Sequence, residues 1–203
     1  MFQTISWMSL SLVLAGIGLH WLISPLRLAK REDGWRSYWK CCGETDSALA
    51  KLNRLACVVA LGSLTVLFVT GFGGRLLLGE ALHGYSLMMH VGLAPVFVIS
   101  AGVVLVAWGH RCRLNGDDRQ GLADLLRLRG ANPADTADLG WKLTFWLAML
   151  LIVPVSLSMV MGMFQIFGTH GQESLLSIHQ YTALVLTLVT LIHLHLLIRR
   201  CFK

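Results

Sequence analysis

Residues 174–198 read SLLSIHQYTALVLTLVTLIHLHLLI and contain no Asp, Glu, Lys or Arg. A stretch of this length, coiled as an α-helix, crosses the roughly 30 Å hydrocarbon core of a bilayer. Four other uncharged stretches have a comparable length: Phe2–Leu26, Leu55–Gly73, Gly84–Trp108 and Leu143–Phe167. The sequence therefore predicts an all-α integral membrane bundle of five transmembrane helices.

Charge is scarce and lies mostly between these stretches. Charged residues make up 14% of the 203 residues, against about 25% in a typical soluble domain. The net charge of +6 does not indicate nucleic-acid binding, because the basic residues lie at the ends of apolar stretches. Lys and Arg concentrate after the first, third and fifth stretches, so the positive-inside rule predicts a multi-pass protein with its N-terminus outside and its C-terminus in the cytoplasm.

Two parts of the chain are expected to differ in role. Residues 1–50 are predicted to form an additional N-terminal transmembrane helix and a basic cytoplasmic loop. Residues 51–203 are predicted to form a four-helix domain with a cytoplasmic loop at 110–142. Within that loop Arg119–Arg129 has leucines between charges, which predicts a short amphipathic helix that either rests on the membrane or docks a partner. The five cysteines have no metal-ligand spacing, and disulfides are not expected on the cytoplasmic side.

Five of the eight histidines fall inside the apolar stretches: His20, His90, His179, His193 and His195. An ionisable group within a membrane is costly and by default indicates a functional site. Neutral imidazole is a common axial ligand of haem iron. His179 and His193 are close to four helical turns apart, so they leave the same helix face about 21 Å from each other. This spacing suits two haems, one near each membrane surface.

Each iron needs a second ligand at the same depth on another helix. Their depths in the membrane predict that His90 and His179 bind the outer haem and that His20 and His193 bind the inner haem. Small residues such as Gly71 would allow close approach of a flat macrocycle, although membrane helices are rich in glycine in any case. The alternative interpretation is that these histidines only hydrogen-bond between helices. The other histidines are expected to pack at an interface, as His195, or to be solvated, as His83, His110 and His170.

From Lys51 onward, about three quarters of the chain resembles the di-haem cytochrome b subunits of formate dehydrogenase (the gamma subunit) and nickel–iron hydrogenase. The matching stretches are Arg54–Gly71 (RLACVVALGSLTVLFVTG), Leu82–Gly92 (LHGYSLMMHVG) and Ile178–His195 (IHQYTALVLTLVTLIHLH). The resemblance implies a four-helix bundle in the bacterial inner membrane that holds two b haems. It also implies a hetero-oligomeric complex, in which electrons pass between quinone or menaquinone and an iron–sulfur or cytochrome c redox subunit.

By this resemblance His90 and His179 match the ligands of the outer haem, and His193 matches one ligand of the inner haem. The chain departs from the family in the second stretch, where Cys57 stands in place of the other inner histidine. His20, on the additional helix, is expected to take over that role. If it does not, the chain holds the outer haem alone, or Cys57 binds the inner iron. The low potential of a thiolate-bound haem makes Cys57 the least attractive of these options.

The sequence thus predicts a membrane cytochrome b subunit that exchanges electrons with the quinone pool, with haem and quinone carrying the chemistry. The alternative, from a different class, is a haem-free membrane anchor or assembly subunit of a larger complex. A small transporter is disfavoured, because the apolar stretches contain no carboxylate and no internal repeat is visible.

Overall fold

The computed structural model describes residues 1–24, 48–126, 133–164 and 166–201, and these residues form helices and no strands. The helices are α1 (Phe2–Ile23), α2 (Ala48–Gly73), α3 (Gly84–Trp108), α4 (Gly116–Leu126), α5 (Pro133–Gly162) and α6 (Gly168–Cys201). A π-helical turn, Gly74–Leu78, continues α2. All of them except α4 and the π turn contain a segment long and apolar enough to cross a membrane. The predicted all-α membrane bundle with five spans is confirmed.

The helices extend beyond several of the apolar stretches. α2 begins at Ala48 rather than Leu55, and α6 begins at Gly168 rather than Ser174, because backbone hydrogen bonding continues into polar residues at the ends of a span. The predicted end of the fourth span at Phe167 is wrong, since α5 ends at Gly162. Most of the predicted basic loop, residues 25–47, and the end of the predicted amphipathic segment, residues 127–129, lie outside the described residues.

The bundle is built from two antiparallel hairpins. α2 packs along α3, and α5 packs along α6, as short connections between consecutive helices require. The hairpins meet in a central layer around Phe97, Ala101 and Leu186. We call the end that carries His179 the upper end of the bundle, and the end that carries His193 the lower end. Toward the upper end Phe72 of α2 packs with Leu184 of α6, so the two hairpins are closed against each other there.

Helix α1 is attached to the upper end through the π turn of α2. The side-chain amide of Gln3 and the indole N–H of Trp7 both donate to the carbonyl oxygen of Leu76, at 3.0 and 3.3 Å. A π turn departs from the regular i→i−4 bonding of the helix, and an unsatisfied carbonyl in a membrane would cost several kcal/mol. α1 therefore supplies hydrogen bonds to a carbonyl of this irregular turn, and Leu10 adds apolar contact with Phe72.

The short helix α4 is held against the start of the fourth span by an ion pair. Asp118 Oδ2 accepts from Lys142 Nζ at 2.6 Å and from the backbone N–H of Asn115 at 2.7 Å. Their side chains are only 11% and 9% exposed. The bond from Lys142, with that from the Asn115 amide, lowers the pKa of Asp118. The predicted amphipathic segment is thus helical over Gly116–Leu126, and it packs on α5 of its own chain.

Candidate functional site

His90 lies two turns into α3, where α2 fixes its ring. Its Nδ1 lies 2.9 Å from Thr70 Oγ1. The Thr70 hydroxyl donates to the carbonyl of Val66 at 2.7 Å, so its oxygen is left to accept and Nδ1 of His90 carries the proton. A Cβ added at Gly71 would lie 3.0 Å from Cε1 of His90. Only glycine fits there without moving the ring. Because Nδ1 carries the proton, Nε2 of His90 keeps its lone pair.

His179 faces His90 across the two hairpins. Its Nδ1 lies 3.0 Å from the carbonyl oxygen of Val155. A carbonyl only accepts, so Nδ1 carries the proton and Nε2 again keeps the lone pair. The ring centroids of His90 and His179 are 6.2 Å apart with an interplanar angle of 77°. The structure therefore brings the predicted outer pair together, and each ring is oriented by a hydrogen bond at Nδ1, which leaves Nε2 without one.

His193 sits on the same face of α6 near the lower end. Its Nδ1 lies 2.9 Å from Thr144 Oγ1, and the Thr144 hydroxyl is within donating distance of the Gly140 carbonyl at 2.9 Å. The same reasoning places the proton on Nδ1 and the lone pair on Nε2. The ring is flanked by Trp141 and Phe145, with centroids 6.4 and 6.2 Å away. Thus His90, His179 and His193 share one protonation pattern.

A cavity of about 550 Å³ lies beside His193. All four helices of the two hairpins contribute to its wall, and nearly all the lining side chains are apolar. Cys57 of α2 lines it together with His193, Trp108 and Phe145. Its size is within the range of about 300–1,000 Å³ that is typical of cofactor and ligand sites. The lower half of the bundle therefore contains a space for an apolar group, next to an imidazole nitrogen with a lone pair.

The structure brings His20 to His195 rather than to His193, its partner in the predicted inner pair. Its Nδ1 lies 3.0 Å from Nε2 of His195, and the indole N–H of Trp21 donates to Nδ1 of His195 at 2.9 Å. Because Trp is a donor only, Nδ1 of His195 must accept. Nε2 of neutral His195 then donates to Nδ1 of His20. Both nitrogens of His195 are used, and no lone pair remains on it for a metal.

The reason for this difference is the face of α6 on which α1 packs. His195 is about 200° around the helix from His193, and α1 packs on the His195 side. Arg199 continues the contact by donating to Ser24 Oγ at 2.6 Å. Depth alone placed His20 correctly near the lower end, but the side of the helix was decided by α1 packing. His195 is buried at 7% exposure, in the interface role predicted for it.

The three histidines outside the spans have ordinary surface environments. His83 and His110 are exposed, and Nδ1 of His83 lies 2.8 Å from the carbonyl oxygen of Ala81. His170 lies 3.8 Å from Glu173, and its side chain is fully exposed. Among the described cysteines, Cys57 and Cys112 do not form disulfides. No group of three or more His, Cys, Asp or Glu with metal-site geometry occurs in the described part of the chain.

Comparison with known protein-family models, with curated proteins and with solved structures finds no match for this chain.

Proposed function

We propose that this chain is a membrane cytochrome b subunit that transfers electrons between the quinone pool and a partner redox subunit through b-type haems. The observation that carries the proposal is the shared pattern of His90, His179 and His193. Each donates from Nδ1 to an oxygen of a neighbouring helix and keeps the Nε2 lone pair. A hydrogen bond at the far ring nitrogen is how proteins orient a histidine that binds a metal.

The residues at the upper end fit a haem held by His90 and His179. Their ring centroids are 6.2 Å apart, so both residues would be close enough to bind one iron. His90 belongs to one hairpin and His179 to the other, so the two ligands approach from opposite sides of the space between the hairpins.

The lower cavity fits a second haem that His193 would hold. Its volume and apolar lining suit a macrocycle, and Thr144 fixes the ring of His193. When bound, haem supplies one-electron chemistry between the ferric and ferrous states. The chain's own residues would bind the iron, exclude water and hold the upper and lower sites about 21 Å apart along α6.

The remaining parts of the proposal rest on the resemblance and on the charge pattern. Quinone or menaquinone would exchange electrons at the lower end, and an iron–sulfur or cytochrome c subunit would meet the upper end in a hetero-oligomeric complex. The proposed topology has the lower end on the cytoplasmic side of a bacterial inner membrane and the N-terminus outside, and the basic residues after α1, α3 and α6 support it.

Visible spectroscopy of the purified chain tests the proposal. We expect a reduced spectrum of the b type, and about one haem per chain lost on either His90→Ala or His179→Ala. His195→Ala is the matched control, since this histidine is equally intramembrane but has both nitrogens engaged, and it should keep the haem content. A well-folded protein that binds no haem would replace the proposal with the alternative, a haem-free membrane anchor.

A further inference from the structure

The lower cavity is lined by residues besides His193 that have atoms able to bind a metal. Among the described residues that line it, the side chains with atoms that commonly bind haem iron are Cys57, Met149 and His193. Thr65 and Thr190 also line it, but their hydroxyls donate to carbonyls of their own helices at 2.8 Å. The indole N–H of Trp108 donates to Asn53 at 3.1 Å. The Cys57 thiol has a long contact of 3.9 Å with Asn53 Oδ1, and a sulfur atom is a far better iron ligand than a hydroxyl or an indole, so the choice of a partner for His193 is between a thiol and a thioether.

The hairpin arrangement favours the thiol. Two ligands of one haem iron approach from opposite faces of the macrocycle, as His90 and His179 do from opposite hairpins. Met149 belongs to α5, the same hairpin as His193, and lies little more than one turn beyond Thr144, which bonds the His193 ring. Cys57 belongs to α2 of the other hairpin. Cys57 and Met149 both pack on the cluster that contains Trp141 and Phe145, the two rings beside His193, so it is the hairpin that distinguishes the two residues.

Charge favours it as well. The porphyrin dianion leaves ferric haem with one net positive charge, and the cavity wall is almost entirely hydrocarbon. An unpaired charge in such a medium is expensive. A thiolate from Cys57 would make the ferric site neutral, whereas a thioether or a second imidazole would leave its positive charge. On reduction the thiolate site would carry one negative charge and the others none, so this effect stabilises the ferric state. The proton of the thiol is released to solvent when the iron–sulfur bond forms.

We infer that Cys57 is the second axial ligand of the lower haem, which is thus held by a thiolate from α2 and the imidazole of His193. The inference rests on the proposed function and specifies one of its sites. It reverses the expectation that His20 completes this site, because the nitrogens of His20 and His195 are bonded to each other on the far side of α6. A thiolate also stabilises the ferric state, so the lower haem has a lower reduction potential than the upper one.

Near-infrared magnetic circular dichroism of the oxidised, purified full chain tests the ligand set directly. Bis-imidazole, thioether–imidazole and thiolate–imidazole haems give separate charge-transfer bands. We expect one bis-imidazole and one thiolate–imidazole band in the unaltered chain. Cys57→Ala should remove the second band and leave the first. Cys57→His should keep two haems per chain and convert the lower haem to the bis-imidazole type, so that both haems are of that type. Met149→Leu and His20→Ala should change neither band.

The matched control is Cys112→Ala, since Cys112 belongs to the same cluster but is fully buried and is not among the residues that line the cavity. It should leave both bands intact. A thioether band lost on Met149→Leu, or only bis-imidazole bands that Cys57→Ala does not alter, would overturn the inference while leaving the proposed function standing. The inference would also be overturned, and the proposed function kept, if the chain bound only one haem and His90→Ala removed it. A chain without any haem would instead refute the proposed function.

Discussion

Gly71→Ala tests the upper site with the smallest possible change. A Cβ at residue 71 would lie 3.0 Å from Cε1, 3.5 Å from Nδ1 and 4.0 Å from Nε2 of His90. Carbon atoms prefer a longer separation of about 3.5–4.0 Å, so the ring has to retreat by a few tenths of an ångström. Retreat is opposed by the 2.9 Å hydrogen bond to Thr70. The substitution therefore either lengthens that bond or misaligns Nε2.

The expected effect is a loss of haem affinity at the upper site. Substitutions that disturb the support of a metal-binding histidine typically cost about 10–100-fold in affinity, and we expect at least the lower value, which corresponds to about 1.4 kcal/mol. Alanine itself stabilises a helix by roughly 0.5–1 kcal/mol relative to glycine. The folded protein should therefore be no less stable without haem, and the loss should appear only in haem binding.

Gly73→Ala is the control, because it lies in the same turn of α2 and a Cβ there would meet nothing within 4 Å. Both variants gain the same helix propensity, so their difference isolates the contact with the ring. The assay is titration of haem-depleted protein followed by reduced-minus-oxidised absorbance, with thermal unfolding to compare the folds. Equal haem affinity in the two variants would show that the position of the His90 ring does not matter for binding.

Three further changes probe the lower site, α4 and α1. Thr144→Val removes the oxygen that accepts from His193 and should weaken the lower haem by about tenfold in the same titration; Thr187→Val, whose hydroxyl donates to the Ala183 carbonyl, should not, and equal losses would argue against orientation by Thr144. The pKa of Asp118 is lower in the folded than in the unfolded chain. Its ion pair therefore stabilises the folded protein above the unfolded pKa of about 4, and this stabilisation is lost as pH falls through the folded pKa. Thermal unfolding in detergent should show this loss of stability in acid, which Asp118→Asn should abolish and the exposed Glu173→Gln should leave unchanged. The Gln3→Leu, Trp7→Phe double variant deprives the Leu76 carbonyl of both donors and should lower the free energy of unfolding by about 1–3 kcal/mol; an unchanged unfolding midpoint would show that α1 contributes no stability through this carbonyl.

The spans and the depth of each histidine could be predicted from the sequence, because both follow from a fixed rise per residue and from where charge is absent. The upper pair follows from depth alone, since His90 and His179 lie on helices of different hairpins that face each other. The pairing of His20 could not be predicted in the same way. It depends on which face of α6 the first helix covers, and hydrophobicity is nearly uniform around α1 and α6 and does not indicate a face.

The groups that orient the histidines were also out of reach of the sequence. Thr70 is twenty residues from His90, and Thr144 is forty-nine from His193. Threonine in a membrane helix usually bonds its own backbone, as Thr187 does, so nothing in its spacing marks it as a partner of an imidazole. The hydroxyls of Thr70 and Thr144 each bond both a backbone carbonyl and an imidazole nitrogen. Donating to the backbone turns its oxygen into an acceptor, and this determines the tautomer of the histidine.

The same accounting of donors explains what the additional helix contributes. Trp21 donates to His195, His195 donates to His20, and Arg199 donates to Ser24, so the lower end of α1 is attached to α6. At the upper end Gln3 and Trp7 attach it to the turn that continues α2. α1 therefore contacts both hairpins, α6 at the lower end and the turn that continues α2 at the upper end. Its histidine then belongs to this attachment, and in the proposed lower site a second ligand beside His193 would come from the four helices that line the cavity.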